Sequence, residues 1–363
     1  MKGRVAALVG PAEVRVKEFE IPEPEPGAVL TKVRRANLCG SEVHIYHFHH
    51  PLIRQCVLGH EFVGEIAALG DGVETDYAGN AVSVGDRVVA PYFLTCRKCP
   101  ACLRGEFNLC RRAYDFWSKP PEDEPHFHGA FATHYYIHPD QYFYKVPDGI
   151  PDKVVAGANC GLSQVLYGLH RIGLSAGDSL VIQGAGGLGL YAAAVGKDLG
   201  AEVTVVEGIP ERIELARRFG ADNIVDLQEH PTSEERVEVV QSLTGGYGAD
   251  VVLEVAGVPA AFVEALHLAR PGGAVIEIGN VNVGPEHEVS VAPGLITRKN
   301  LRVQGMVRYQ PWYLHRALRF LERKHRDHPF DELTDREYKL EEVGEAIERE
   351  EAREVARPAI VPS

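Results

Sequence analysis

The chain has 363 residues, is 45% hydrophobic and 25% charged, and carries a formal net charge of −13, which suits a soluble protein of two domains better than one compact core. A surface this acidic repels phosphate backbones and anionic membranes, which argues against nucleic acid or membrane as a partner and says nothing specific about a small molecule. No stretch approaches the ~20 apolar residues that span a bilayer, and Met1-Lys2-Gly3-Arg4-Val5 leads into a short alternating run rather than a signal-peptide core, so the expected location is cytoplasmic.

In chain order, the first roughly 150 residues predict short strands and loops. Residues 5–9, 14–19 and 29–35 have strand-like composition and are separated by Gly10-Pro11 and the Pro-Glu run ending at Pro26-Gly27. Further strands are expected at 62–69, 87–90 and 134–137, with prolines and glycines between them. The pattern changes near Ala156. A strand at 180–183, a helix at 188–199, a strand at 203–207 and a helix at 210–219 follow in order. Strands at 251–255 and 274–279 enclose a helix at 260–268. Apolar strands alternating with amphipathic helices predict a parallel sheet covered on both faces. The chain then predicts a helix at 312–323, an acidic helix at 340–353 and a closing strand at 358–361 that joins an existing sheet.

After the strand at 180–183 comes Gly184-Ala185-Gly186-Gly187-Leu188-Gly189. Gly184, Gly186 and Gly189 fit G-x-G-x-x-G, in which the glycines give a tight turn, a close backbone approach to a pyrophosphate and close helix packing. The helix N-terminus that follows favours an anion through its free N–H groups and dipole. Gly187 and Leu188 complete this cofactor loop. Glu207 ends the next strand, eighteen residues after Gly189. A carboxylate there accepts hydrogen bonds from the adenosine ribose and repels a 2′-phosphate, which favours NAD over NADP. Arg212 is placed to lie along the adenosine, or is an ordinary exposed helix charge.

Seven cysteines are present, and four crowd between Cys96 and Cys110. Cys96, Cys99, Cys102 and Cys110 have the spacing C-x2-C-x2-C-x7-C. Four thiolates so close in sequence can close a tetrahedron around Zn²⁺, the structural kind of site. An iron–sulfur cluster is the rival, but Arg111-Arg112 follow the last cysteine where proline is usual. Cys39, His60 and Cys160 are dispersed. Two thiolates and an imidazole match a Cys₂His catalytic zinc set, while each residue alone also reads as a buried thiol or a core histidine.

Five motifs in order give the chain a resemblance to the medium-chain dehydrogenase/reductase superfamily, in its zinc-containing alcohol dehydrogenase branch. They are Asn37-Leu38-Cys39-Gly40-Ser41-Glu42-Val43-His44, Gly59-His60-Glu61-Phe62-Val63-Gly64, Val84-Gly85-Asp86-Arg87-Val88, the four-cysteine lobe and the glycine loop. Cys160-Gly161-Leu162-Ser163 resembles the segment that supplies the third zinc ligand. The resemblance implies an α/β fold: a GroES-like β-rich catalytic domain from residues 1–160 (with the structural zinc lobe at 94–112) and 304–363, and a doubly wound Rossmann domain at 161–303. It implies two zinc ions per subunit, a catalytic one on Cys39, His60 and Cys160 with Glu61 beside them, and a structural one. Ser41 would hydrogen-bond the substrate hydroxyl and His44 would carry its proton onward. NAD and an alcohol or carbonyl substrate would be the small-molecule partners. Phe93, and more weakly Tyr46 and Trp117, would line the substrate pocket. Relatives are homodimers or homotetramers, and 273–305 resembles the edge through which they pair.

Gln164 departs from the small hydroxyl residue usual in relatives, and 113–128 matches no particular subfamily. His47, His49 and His50 are expected as exposed loop histidines, and Cys56 as a buried structural thiol. Two other classes compete with a zinc alcohol dehydrogenase. A zinc-free enone or quinone reductase of the same superfamily is opposed by the intact Cys39, His60 and Cys160. A non-catalytic zinc-containing binding protein is opposed by the complete ligand set together with the proton relay.

Overall fold

The computed structural model describes residues 1–355 and 357–362. The chain forms two compact units, Met1–Ser163 with Gln310–Ser363, and Gln164–Tyr309.

The first unit is built on Val29–Asn37, a strand of alternating and β-branched residues that is buried over most of its length. Glu61–Leu69 and His134–Ile137 pair antiparallel with it. Arg87–Val89 and Tyr144–Lys145 extend the sheet beyond Glu61–Leu69. On the other side, Pro358–Ile360 pairs antiparallel with Val29–Asn37 and parallel with Arg336–Tyr338. The end of the chain is thereby hydrogen-bonded to a strand laid down three hundred residues earlier. A small antiparallel sheet of Glu13–Glu20, Lys2–Gly10 and Cys56–Val57 completes the unit. Its main core gathers Leu38, Ile45, Phe62, Val88, Phe131, Tyr338 and Ile347, among others.

The second unit is a six-stranded, all-parallel sheet. Its spatial order is Asn223–Asp226, Glu202–Glu207, Ser179–Gln183, Ala249–Glu254, Ala269–Glu277 and Arg302–Gly305. This is the 3-2-1-4-5-6 order of a doubly wound dinucleotide fold, with the switch point beside Ser179–Gln183. Apolar strands with nearly every residue buried alternate with helices Gly187–Asp198, Pro210–Arg218, Ser233–Leu243 and Pro259–Leu268. Proline opens the helices at 210 and 259, where its missing N–H costs nothing. Arg302–Gly305 adds the sixth strand, so the residues up to Tyr309 stay with this unit.

Candidate metal centre and nucleotide loop

Four short elements of the first unit converge on one donor set. Cys39 caps the N-terminus of helix Gly40–Tyr46. Gly59 has φ +88°, and a Cβ there would stand 2.5 Å from the Phe131 nitrogen, so only glycine admits the turn that delivers His60. Glu61 opens strand Glu61–Leu69. Cys160 lies in a five-residue π-helical turn, Ala158–Leu162, a feature that concentrates at functional sites. The donor atoms of Cys39, His60, Glu61 and Cys160 all lie within 4.8 Å of one another, and His60 Nε2 is 3.3 Å from Cys160 Sγ. Ligands about 2.0–2.3 Å from zinc stand roughly 3.3–3.8 Å apart in a tetrahedron, so this set fits the ion. Glu61 Oε1 supports the fit, being buried at the donor set with no hydrogen-bond partner.

The surroundings fix this set. His60 Nδ1 faces Glu42 Oε1 at 2.6 Å, and the Cys39 backbone N–H donates to Glu42 Oε2 at 2.9 Å. A proton on Nδ1 held by this carboxylate leaves Nε2 free to ligate. Burial alone would lower the His60 pKa, but the Glu42 carboxylate and Cys39 thiolate outweigh it and raise it. Hydrogen bonding from Cys160 holds the Cys39 thiol well below its ordinary value. Arg357 pairs with Glu61, while burial pushes that carboxyl up to about 8. Asn159 Nδ2 donates to the carbonyls of His60 and Ala90, both at 2.8 Å, which ties the Cys160 turn to the His60 turn. Ser41 and His44 are half-buried on helix Gly40–Tyr46, and a spacing of three puts them on one face.

The second donor set is the lobe. Cys96, Cys99, Cys102 and Cys110 are buried, with sulfurs within 4.8 Å of one another. Backbone N–H groups already point at the sulfurs, from Cys99 to Cys96 at 3.3 Å and from Cys96 to Cys110 at 3.4 Å. N–H donors from Cys102 and Arg111 bring the Cys99 thiol down to about 6. Four sulfurs with no oxygen or nitrogen donor suit a closed structural zinc.

In the second unit, Gly184 has φ +98° and a Cβ on Gly189 would stand 1.9 Å from the Gly184 carbonyl oxygen. The loop therefore closes only with glycine at both positions. Gly186 caps helix Gly187–Asp198 without a side-chain bond, and nothing lies within 4 Å of where its Cβ would be. That open cradle and the uncapped N–H groups fit a phosphate. Glu207 is buried; Oε2 accepts from Ala185 N at 2.8 Å, and Oε1 from Gly208 N at 2.8 Å and Ile209 N at 3.1 Å. It thus braces the loop as well as ending its strand. Arg212 lies half-buried in the first turn of Pro210–Arg218.

Three expected pocket residues divide. Trp117 lies beside His60, with ring centroids 4.9 Å apart. Tyr46 is buried in the same core as Trp117, and its hydroxyl donates to Glu348 at 3.0 Å. Phe93 is fully buried, and its neighbour Tyr92 has the ring 4.8 Å from His60. Gln164 donates to the Met306 carbonyl at 3.0 Å. Of the loop histidines only His49 is exposed; His47 meets Glu351 at 3.0 Å, and His50 Nδ1 accepts from Leu52 N and Ile53 N. Cys56 is buried, and burial raises its thiol pKa. Sequence reasoning missed Glu42, Arg357, Asn159 and Tyr92.

A β-rich unit with two thiolate donor sets, together with a dinucleotide-binding sheet, defines a zinc-binding dehydrogenase. Residues 25–148 match the alcohol dehydrogenase GroES-like domain and residues 187–323 the zinc-binding dehydrogenase domain. The chain is 30% identical to the 5-exo-hydroxycamphor dehydrogenase of Pseudomonas putida, over 98% of each chain. It is 30% identical to a sorbitol dehydrogenase of Bacillus subtilis, over 95% of this chain and 93% of that one. Its fold matches an alcohol dehydrogenase of Thermotoga maritima with a TM-score of 0.92 and 28% identity, over 100% of both chains. The chain belongs to the medium-chain dehydrogenase/reductase superfamily, in its zinc-type alcohol dehydrogenase branch, and is an oxidoreductase. No helix among the described residues is long and apolar enough to cross a membrane.

Proposed function

We propose that this protein is a cytoplasmic zinc-dependent alcohol dehydrogenase that uses NAD to interconvert a primary or secondary alcohol and its carbonyl. The observation that carries the reading is the convergence of Cys39, His60 and Cys160 with Glu61 within 4.8 Å. Named relatives that act on hydroxycamphor and on sorbitol support an alcohol as the substrate. Zinc held there supplies Lewis acidity, lowering the pKa of a hydroxyl it binds. NAD supplies the hydride acceptor, and the chain supplies alignment.

The residues divide the remaining work. Glu42 holds the Nδ1 proton of His60 and so keeps Nε2 available as a ligand. Ser41 accepts the hydrogen bond of the substrate hydroxyl, and His44, one helical turn on, receives the proton and passes it to solvent. Glu61, tied to Arg357 through one oxygen, keeps its other oxygen unpartnered at the donor set as a transient ligand or a nearby charge. The four-cysteine lobe holds the second, structural zinc. Glu207 favours NAD by presenting a carboxylate where NADP carries a phosphate. Domain boundaries near 163 and 309 follow the two compact units. A homo-oligomer fits the unpaired edge strand Arg302–Gly305, on which Val303 is exposed.

The test is His60→Ala. The variant should lose turnover with every alcohol and retain one zinc of two per subunit, the lobe's. Full activity with both metals retained would end the reading.

A further inference from the structure

We propose that the substrate is a cyclic, apolar alcohol or carbonyl, aryl or alicyclic, selected by a wall of Tyr92, Tyr114 and Trp117; this rests on the dehydrogenase reading above. The wall begins at the metal donor set. The His60 ring meets Tyr92 at 4.8 Å and Trp117 at 4.9 Å between centroids. Tyr92 and Trp117 stand edge to face at 5.8 Å. Tyr114 continues the surface, 6.2 Å from Trp117 and nearly parallel to Tyr92 at 6.5 Å. His50 closes it, edge-on to Tyr114 at 5.4 Å. These separations lie within the range in which aromatic rings attract one another, so the rings support each other as one surface.

Two polar atoms of this wall are already engaged. Trp117 Nε1–H donates to the Val57 carbonyl at 3.1 Å. His50 Nδ1 accepts from Leu52 N and Ile53 N at 3.2 and 3.0 Å. Trp117 is buried, whereas Tyr92 and Tyr114 are only half-buried, so these two residues remain partly open to solvent. Cys39 is the one member of the donor set that is not buried. A polyol packed here would have to desolvate more hydroxyls than the two tyrosine hydroxyls of the wall can meet, and each one left unpaired is penalised. A phenyl or cycloalkyl group instead exchanges water for ring contacts. Tyr114 and Trp117 both come from the segment 113–128 that follows the four-cysteine lobe.

The test uses the zinc-loaded full chain with NAD⁺ and NADP⁺ supplied separately. Benzyl alcohol and cyclohexanol should exceed sorbitol and xylitol in kcat/KM by about a hundredfold or more, a preference within reach of a site that leaves polar groups unpaired. Tyr114→Leu should raise KM for benzyl alcohol about tenfold, with kcat changed less than KM, and Tyr92→Leu should act in the same direction. A second reading avoids turnover. The chain has two tryptophans, so Trp312→Phe leaves Trp117 as the sole indole emitter. Its fluorescence should respond saturably to benzyl alcohol and not to sorbitol. Polyols turned over as well as cyclic alcohols would overturn the wall while leaving the dehydrogenase intact. Failure to turn over any alcohol or carbonyl would instead overturn the dehydrogenase reading. In that case a saturable Trp117 response to benzyl alcohol would still uphold the wall as a ring-binding surface, and its absence would overturn it.

Discussion

Replacing Glu42 with alanine tests whether a residue that ligates nothing decides if the catalytic metal stays bound. Its carboxylate is fully buried and serves two donors, His60 Nδ1 at 2.6 Å and the Cys39 N–H at 2.9 Å. Both donors belong to metal-ligating residues, so their loss loosens two ligands together. A buried donor left without a partner costs about 1–3 kcal/mol. Loss of a carboxylate behind a ligating histidine typically weakens metal binding by about 10–100-fold, equivalent to roughly 1.4–2.7 kcal/mol. The two magnitudes agree. In a chelator titration followed by metal analysis, Glu42→Ala should fall from two zinc ions to one at a chelator concentration about 10–100-fold below that needed for the parent. The remaining ion should be the lobe's. Glu42→Gln should fall between, because its single carbonyl oxygen can serve only one of the two donors and its amide confronts the other. A Glu42→Ala protein that folds and releases its metals at the parent's chelator midpoint would refute the reasoning.

Four further outcomes are expected. Cys102→Ser should remove the lobe zinc and lower the melting temperature while the Cys39 site keeps its metal; two zinc ions retained per subunit would show that the four sulfurs do not form one site. Gly189→Ala forces a Cβ to within 1.9 Å of the Gly184 carbonyl, so nucleotide binding read by NADH fluorescence should fall at least tenfold, and unchanged affinity would mean the loop is not the cofactor cradle. Glu207→Ala should lower the preference for NAD⁺ over NADP⁺ in kcat/KM and also lower the melting temperature, since three backbone N–H groups lose their acceptor; an unchanged cofactor ratio would confine Glu207 to bracing the loop. Burial and the neighbouring Glu277 carboxylate hold the Glu254 carboxyl up to about 8. A pKa raised on folding means that the folded protein binds the proton more tightly, so stability is fullest below about pH 4.5 and is lost as pH rises towards 8. Urea midpoints at pH 5, 6.5 and 8.5 should show Glu254→Gln gaining on the parent as pH rises, by a few kcal/mol in all, and a pH-independent difference would show that Glu254 does not titrate in this window.

What the sequence made legible is what local patterning encodes. Apolar strands bounded by glycine and proline announced the parallel sheet, and strand, glycine loop and acidic strand end lie within thirty residues of one another. Helices Ser163–Ile172 and Pro293–Lys299 went unpredicted, and two further ones were missed for reasons that can be named. Ser233–Leu243 is mostly polar, and only its Thr232–Glu235 capping box betrays it. Gly40–Tyr46 spans two turns, too few for a periodicity to emerge. Its cap also uses Cys39 where serine or threonine is usual, so the Cys39–Glu42 spacing of three reads as a capping signal only once the cysteine is known to cap. Side-chain direction was hidden too: Tyr92 and Phe93 are adjacent in sequence, and choosing which one meets His60 requires the path of the backbone.

Arg357 shows why the remainder of the site needed a fold. It stands 296 residues from Glu61, and nothing local joins them. The link is two strand registers acting in series. Asn37 pairs with Glu61 on one side of strand Val29–Asn37 and with Ala359 on the other. Arg357 immediately precedes strand Pro358–Ile360, so setting Ala359 opposite Asn37 also brings its guanidinium within reach of Glu61. The closing strand predicted at 358–361 therefore carries a function that its own composition does not express. By joining the sheet in this register it delivers the guanidinium that holds one oxygen of Glu61, and so leaves the other facing the metal donors. A shift of one residue in that pairing would carry Arg357 along the sheet by about 3.3 Å and leave a buried carboxyl without its cation.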